Sequence, residues 1–320
     1  MKGNKYRLQI ENVISAHKLI HGVFKNSPQS INEPLSDLLN ANIVVKDETL
    51  NPVGSFKGRG AEVFVQYAQP AEHFFCASAG NFGQAMAYSC RAKQVKLTVY
   101  ASRNANSYKI DKMREMGAEV KIFGDDFDAA KLEAKNRAKE FDGRFIEDSL
   151  DIESLEGAAT IGLELVQLPI DIDMVLIALG NGALVNGVAR VMKHFKPSTK
   201  IIAVQAKGAS AMVDSWRSGA IVNYSTVNTI ADGIAVRIPI PQALIDMDGL
   251  IDDAILVNDE SIIEGMKLLS KKAGIRAEPS GAVGIAAILE NPSLFQNKTV
   301  VTIVCGGNLS NDQEEKWLND

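Results

Sequence analysis

One lysine of this chain stands at the end of a small-residue turn and just ahead of a helical stretch, in Asn51-Pro52-Val53-Gly54-Ser55-Phe56-Lys57-Gly58-Arg59-Gly60-Ala61. A turn of that kind can hold an amine against a carbonyl, where it serves as nucleophile and then as base. Taken alone, the segment reads equally as a turn with a solvated lysine. Three other loops bear on the choice. Ser78-Ala79-Gly80-Asn81, Gly180-Asn181-Gly182-Ala183-Leu184 and Cys305-Gly306-Gly307-Asn308 each follow an apolar run. Glycine after a strand is ordinary punctuation. Open parallel sheets, however, bind ligands outside the carboxyl ends of their strands, where such loops lie. The Gly180 loop reads as a phosphate cradle, because small residues let successive N–H groups converge on an anion at a helix start. It lacks the Gly-Lys-Ser/Thr of a nucleotide loop and the third glycine of a dinucleotide fingerprint, which points to a small phosphorylated cofactor rather than ATP. Cys305 by itself reads as a small buried apolar residue at a strand end.

The elements that must position these loops follow from periodicity. Short apolar runs alternate with helical stretches, the pattern of parallel strands joined by crossover helices. Strands are expected at 73–77, 95–100, 119–123, 174–179, 201–204 and 299–304, and helices at 82–92, 107–116 and 183–195. No repeat, low-complexity segment or Pro/Gly-rich linker divides the chain. The fold class is therefore α/β, with two interleaved domains: 1–72 together with 151–320 as a large one, and 73–150 inserted as a small mobile one.

Composition limits the function classes. The chain has 320 residues, 46% apolar and 23% charged, enough to build the cores of two domains. A net charge of -5 offers no basic field for a phosphate backbone, so nucleic acid is not an expected partner. No apolar run reaches membrane-spanning length and the start of the chain lacks a cleavable apolar leader, which predicts a soluble, cytoplasmic protein without a membrane partner. Cys76, Cys90 and Cys305 are odd in number and far apart, which fits a reducing compartment. His17 and His21 stand four apart on an expected helix but gain no third ligand, and no metal site is predicted.

Six motifs together carry a family resemblance: residues 55–61, Ser78-Ala79-Gly80-Asn81, the Gly180 loop, Thr229-Ile230-Ala231-Asp232-Gly233, Glu278-Pro279-Ser280-Gly281-Ala282 and Cys305-Gly306-Gly307-Asn308. Their order and approximate spacing resemble fold-type II pyridoxal-phosphate enzymes (tryptophan synthase beta-like), most nearly the serine/threonine dehydratase and serine racemase branch. The resemblance spans almost the whole chain. It implies pyridoxal 5'-phosphate as cofactor, a mainly parallel twisted sheet flanked by helices in each domain, and a homodimer or homotetramer. It implies that Lys57 bonds the cofactor and shuttles the alpha proton, that Phe56 lies against the ring and that Asn81 bonds its phenolic oxygen. Gly180, Asn181, Gly182, Ala183 and Leu184 correspond to the phosphate loop, Gly233 and Glu278 to further cofactor contacts, and Cys305 to the residue facing the pyridine nitrogen. Ser78, Ala79, Gly80 and Asn81 correspond to the loop that takes the substrate carboxylate.

The implied reaction is loss of water and then ammonia from a beta-hydroxy amino acid such as L-threonine or L-serine, leaving a 2-oxo acid. A neutral thiol at the ring nitrogen suits elimination better than transamination. Ala79 stands where racemases of this branch place a serine, and alanine has no proton to give. Gln205 and Ala211 replace acidic residues of the racemases' divalent-cation site, so bound magnesium is not expected. Phe82 and Arg276 depart from the pattern near where a substrate would sit, and Arg59 or Arg237 could recognise a second carboxylate or simply form ion pairs. Beta-replacement, as in cysteine synthases, racemisation, and a non-catalytic cofactor-binding regulator are the competing readings. The substrate side chain is not fixed by the sequence.

Overall fold

A computed structural model describes residues 6–318. Among them ten strands form two sheets: β1 (Gln29–Ile31), β2 (Asn42–Asp47), β3 (His73–Ala77), β4 (Lys96–Ala101), β5 (Glu119–Ile122), β6 (Arg144–Phe145), β7 (Met174–Ala178), β8 (Lys200–Ala206), β9 (Asp253–Val257) and β10 (Thr299–Val304). The larger sheet has the order β1-β2-β10-β7-β8-β9 and the smaller β5-β4-β3-β6. Every pairing is parallel except that of β1, which runs antiparallel along the edge of β2 with Gln29 opposite Lys46. The last strand is central: Val301 faces Val44 of β2 on one side and Val175 of β7 on the other.

Strands buried on both faces read as continuous apolar runs, which is why β7 and β10 were legible. The expected helices are present as Asn81–Lys93, Ser107–Glu115 and Ala183–Phe195. The short or charge-bearing strands β1, β2, β6 and β9 lie outside the predicted set. β2 carries Lys46 and Asp47 at its buried end, breaking the apolar signal. One prediction is corrected: the helix Ile10–Leu19 ends before His21, whose Nδ1 instead accepts from the N–H of Val23 at 3.3 Å, so His17 and His21 do not share a helical face.

The large sheet's core joins its strands to helices Ile152–Leu165, Ala183–Phe195 and Pro279–Glu290. The small sheet's core also takes in residues upstream of it, including Phe24, Val53 and Phe64. Helix Lys57–Gln66 lies between these bodies and crosses helix Ile152–Leu165 at close range. A Cβ on Gly157 would sit 2.3 Å from the backbone nitrogen of Gly60, so only glycine permits that approach. No helix of the described residues is long and apolar enough to cross a membrane.

Candidate active site

The turn before Lys57 is stitched to the end of the central strand. Gly54, at φ +66°, closes the turn with its N–H on the Asn51 carbonyl, and its own carbonyl accepts from Gly307 at 2.9 Å. The N–H of Phe56 donates to the Cys305 carbonyl at 3.0 Å. Helix Lys57–Gln66 therefore begins at the lysine itself, held against the carboxyl end of β10. Lys57 Nζ lies 2.5 Å from Asp148 Oδ2 and 4.5 Å from the centroid of the Phe56 ring.

Two residues further along the same helix, Arg59 is fully buried. Its guanidinium reaches Glu48 Oε1 at 2.8 Å and Glu164 Oε1 at 2.7 Å, and Lys46 Nζ reaches Glu164 Oε2 at 2.5 Å. Burial penalises the Arg59 charge, but Glu48 and Glu164 more than offset this and hold its pKa above the ordinary arginine value. The possibility that Arg59 recognises a substrate carboxylate is corrected accordingly: its donors are spent on an interior ion cluster that anchors the first turn of the lysine helix.

Asn81, the first residue of helix Asn81–Lys93, ties the small sheet to the large one. Its Nδ2 donates to Glu278 Oε1 at 2.7 Å, and its Oδ1 accepts from Asn308 Nδ2 at 2.9 Å. An amide Nδ2 carries two hydrogens, so one remains for a further acceptor. Glu278 also accepts from Ser280 Oγ at 2.9 Å. Burial drives its carboxyl pKa upward, against the pull of Lys109 and its own hydrogen bonds. Ser78 lies in the same loop, but its hydroxyl caps the helix, accepting from Gly83 N–H at 2.9 Å and Gly80 N–H at 3.2 Å. Anion binding at Ser78, Ala79, Gly80 and Asn81 would then fall to the N–H groups that these bonds leave over, chiefly those of Ala79 and Asn81.

Gly182, at φ +99°, caps helix Ala183–Phe195 and turns the 180–184 loop into it. A Cβ on Gly180 would come within 3.1 Å of the Gly233 carbonyl, so these two segments touch. Asn181 Oδ1 is buried without a partner, and the Ala183 N–H donates to Ser149 Oγ at 3.2 Å. Leu184 points into the large core. The Cys305 thiol donates to the Ser280 carbonyl at 3.4 Å; burial, aided by Glu278, pushes its pKa up to about 12, so it is neutral.

Other side chains lie elsewhere than expected. Phe82 packs edge-on to Phe64, 6.2 Å between centroids, inside the small core and not in the cleft. Arg276 reaches Glu314 at 2.7 Å and the Leu309 carbonyl at 2.9 Å, bracing the last helix. Arg237 pairs with Asp128. Three residues at the site were not singled out from sequence. Asp148 and Ser149 sit in Ile146-Glu147-Asp148-Ser149-Leu150-Asp151, which looks like a solvated acidic loop; its one signal is its place after a strand end. Asn308 closes a motif in which only the cysteine was assigned a role.

The residues fit pyridoxal phosphate. The site offers an amine for its aldehyde, a glycine loop at a helix start whose N–H groups could meet its phosphate, and a neutral thiol that could face its ring. Contacts bring these residues together: Phe56, next to Lys57, bonds the Cys305 carbonyl, Asn81 bonds Glu278, and Gly233 lies against Ser280 and Glu278.

Comparison with known proteins agrees. A family model described as pyridoxal-phosphate dependent enzyme matches residues 31–306. The chain is 31% identical to the L-threonine ammonia-lyase of Thermotoga maritima, over 98% of this chain and 78% of that protein. It superposes on a processed threonine deaminase isoform of Solanum lycopersicum with a TM-score of 0.86 and 29% identity, covering 96% of this chain and 93% of that one. It also superposes on maize serine racemase with a TM-score of 0.91 and 25% identity, covering 97% of each. The chain belongs to the family of pyridoxal-phosphate dependent enzymes, and its similar relatives include the threonine ammonia-lyases that its motifs resemble.

Proposed function

We propose that this enzyme is a lyase that removes water and then ammonia from a beta-hydroxy amino acid such as L-threonine or L-serine, releasing a 2-oxo acid. The observation that carries this reading is the single amine of Lys57, held at the carboxyl end of β10 with an acid-base partner 2.5 Å away. Pyridoxal phosphate, when bound, supplies the electron sink for breaking the Cα–H and Cβ–O bonds. Lys57 would hold it covalently and act as the base at Cα, with Phe56 against the ring and Asn81 at its phenolic oxygen. Gly180, Asn181, Gly182, Ala183 and Leu184 would carry the phosphate, with Gly233, Glu278 and Cys305 lining the ring. In the loop Ser78, Ala79, Gly80 and Asn81, the N–H groups of Ala79 and Asn81 would take the substrate carboxylate, those of Ser78 and Gly80 being donated to the Tyr100 carbonyl and to Ser78 Oγ. Ala79 supplies no second proton donor on that loop, which disfavours racemisation.

The reading extends to a small mobile domain over 73–150 that closes on the remainder, to assembly as a homodimer or homotetramer, and to the cytoplasm. Three free, buried cysteines suit a reducing compartment. The test is ammonia release from a panel of L- and D-serine, threonine, hydroxyaspartate and diaminopropionate, with borohydride fixation and mass spectrometry to locate the cofactor. The expected result is release from an L-beta-hydroxy amino acid and an adduct on Lys57, both lost in Lys57→Ala. Turnover at the normal rate by Lys57→Ala would overturn it.

A further inference from the structure

Asp148 has no counterpart among the motifs that suggested the family, yet it is the residue bonded to the reactive amine. Oδ2 accepts from Lys57 Nζ at 2.5 Å, while Oδ1 is buried with no hydrogen-bond partner. Its loop is firmly held. Ile146 N–H donates to Phe75 at 2.8 Å, Glu147 N–H to Asp151 Oδ2 at 2.6 Å, and Ser149 takes a left-handed φ of +69°, an uncommon conformation for a residue with a Cβ. Ser149 in turn accepts from Ala183 of the expected phosphate loop. Asp148 thus sits between the lysine and that loop.

Once Nζ is covalently engaged it can no longer serve Asp148 as a full ammonium, and a buried carboxylate oxygen without donors is costly. Taking up a proton meets that cost and makes an acid beside the reacting carbon atoms. Accordingly, and resting on the lyase reading above, we infer that Asp148 is a second catalytic residue: the general acid that protonates the departing beta-hydroxyl. The protons balance. Released as a free amine, Lys57 takes the Cα proton and becomes an ammonium. The Cβ–O bond breaks with its electron pair on oxygen, and that oxygen takes the Asp148 proton and leaves as water. What remains is an ammonium against a carboxylate, the pair seen 2.5 Å apart. When Nζ bonds the cofactor again, the ammonium returns its extra proton to Asp148, and both groups are restored without any oxidant or co-reactant.

The test compares leaving groups. Hydroxide must be protonated as it leaves, whereas chloride departs unaided. Cofactor-loaded Asp148→Asn should release ammonia from L-serine or L-threonine about 100-fold or more slowly, the usual loss on removing a general acid, yet slow by less than about tenfold with β-chloro-L-alanine. Asp148→Glu, which keeps an acid, should turn over serine faster than Asp148→Asn. Independently of turnover, the infrared carbonyl band of a protonated carboxyl should be present in cofactor-loaded wild type and missing from Asp148→Asn. Equal slowing with both leaving groups, no slowing with either, or no such band in wild type would overturn the role of Asp148. Wild type that forms no borohydride adduct on Lys57 and releases no ammonia would instead overturn the lyase reading.

Discussion

Lys109 Nζ lies 2.6 Å from Asp232 Oδ2, joining a helix of the small sheet to the residue before Gly233 in the large body. Lys109 is almost fully buried although Asp232 is half exposed. Burial works against the Lys109 charge, but Glu278 and Asp232 outweigh it and raise its pKa. The small sheet is also latched by Arg237, which pairs with Asp128 and, at 3.6 Å, with Asp126. Lys109→Met keeps the stem and removes the charge-assisted bond, which is worth roughly 1.5–3 kcal/mol. If closure assembles the site, KM for the amino acid should rise about tenfold or more while kcat falls less. Steady-state kinetics with a melting curve as control decides this; a lower melting temperature with unchanged KM would make the contact purely structural.

Arg59 holds two buried carboxylates beneath the lysine helix. Removing one member of such a cluster leaves unpaired buried charge, a loss of about 3–5 kcal/mol. Arg59→Met should therefore lower the denaturant midpoint sharply, and Arg59→Lys, which cannot bridge Glu48 and Glu164 with one planar fork, should recover only part of it. A midpoint unchanged in Arg59→Met would contradict the anchoring role.

The same cluster sets an acid limit. Burial alone would raise the Glu164 pKa, but its bonds to Arg59 and Lys46 prevail and hold it down at about 2. A carboxylate whose folded value is depressed stabilises fully above the unfolded value of about 4.3, and that stabilisation is lost as pH falls from there toward the folded value. Unfolding free energy measured in urea from pH 6 to pH 3 should drop, and Glu164→Gln should flatten that drop while lowering stability at pH 6.

A methyl group on Gly306 would meet Glu278 Oε1 at 2.6 Å and Asn81 Nδ2 at 3.1 Å. Gly306→Ala must push Glu278 and Asn81 out of register, at an overpacking cost of about 1–3 kcal/mol. Reconstitution of cofactor-stripped protein, followed by visible absorbance, should show pyridoxal phosphate held about tenfold more weakly. Unaltered affinity would show that neither side chain positions the cofactor.

Burial pushes all three thiols upward, to about 12 for Cys90 and Cys305 and further for Cys76. Thiolate is the reactive species, so folded protein at pH 8 should resist iodoacetamide, and denatured protein should take up three labels by mass spectrometry. Rapid labelling of Cys305 in the folded protein would mean that its thiol is not neutral.

Much of the architecture was legible because parallel strands covered on both faces leave unbroken apolar runs, as in Met174–Ala178 and Thr299–Val304. β2 was not, since its buried Lys46 breaks the apolar run and is paired with Glu164, 118 residues away. The loops that carry Asn81, Gly180 and Cys305 stood out through glycine and strand-end placement, whereas the roles expected of Lys57, Asn81 and Cys305 came from the family resemblance. Asp148 did not: a carboxylate in a short acidic loop is distinguished from a solvated one only by what it meets in three dimensions. Phe82 and Arg276 erred the other way, because adjacency to a motif in sequence does not say on which side of a helix or turn a side chain projects.

The place of β10 between β2 and β7 has a consequence for biogenesis. β2 has no parallel neighbour until β10 has left the ribosome, and the lysine turn lacks its clamp until Cys305 and Gly307 arrive. A nascent chain must therefore keep an open, apolar sheet edge waiting for most of its synthesis, with long loop closures still to be made. Termination before β10 is complete would release a product that has neither a closed sheet nor a place for its vitamin, a strong reason for such fragments to be aggregation-prone and catalytically silent.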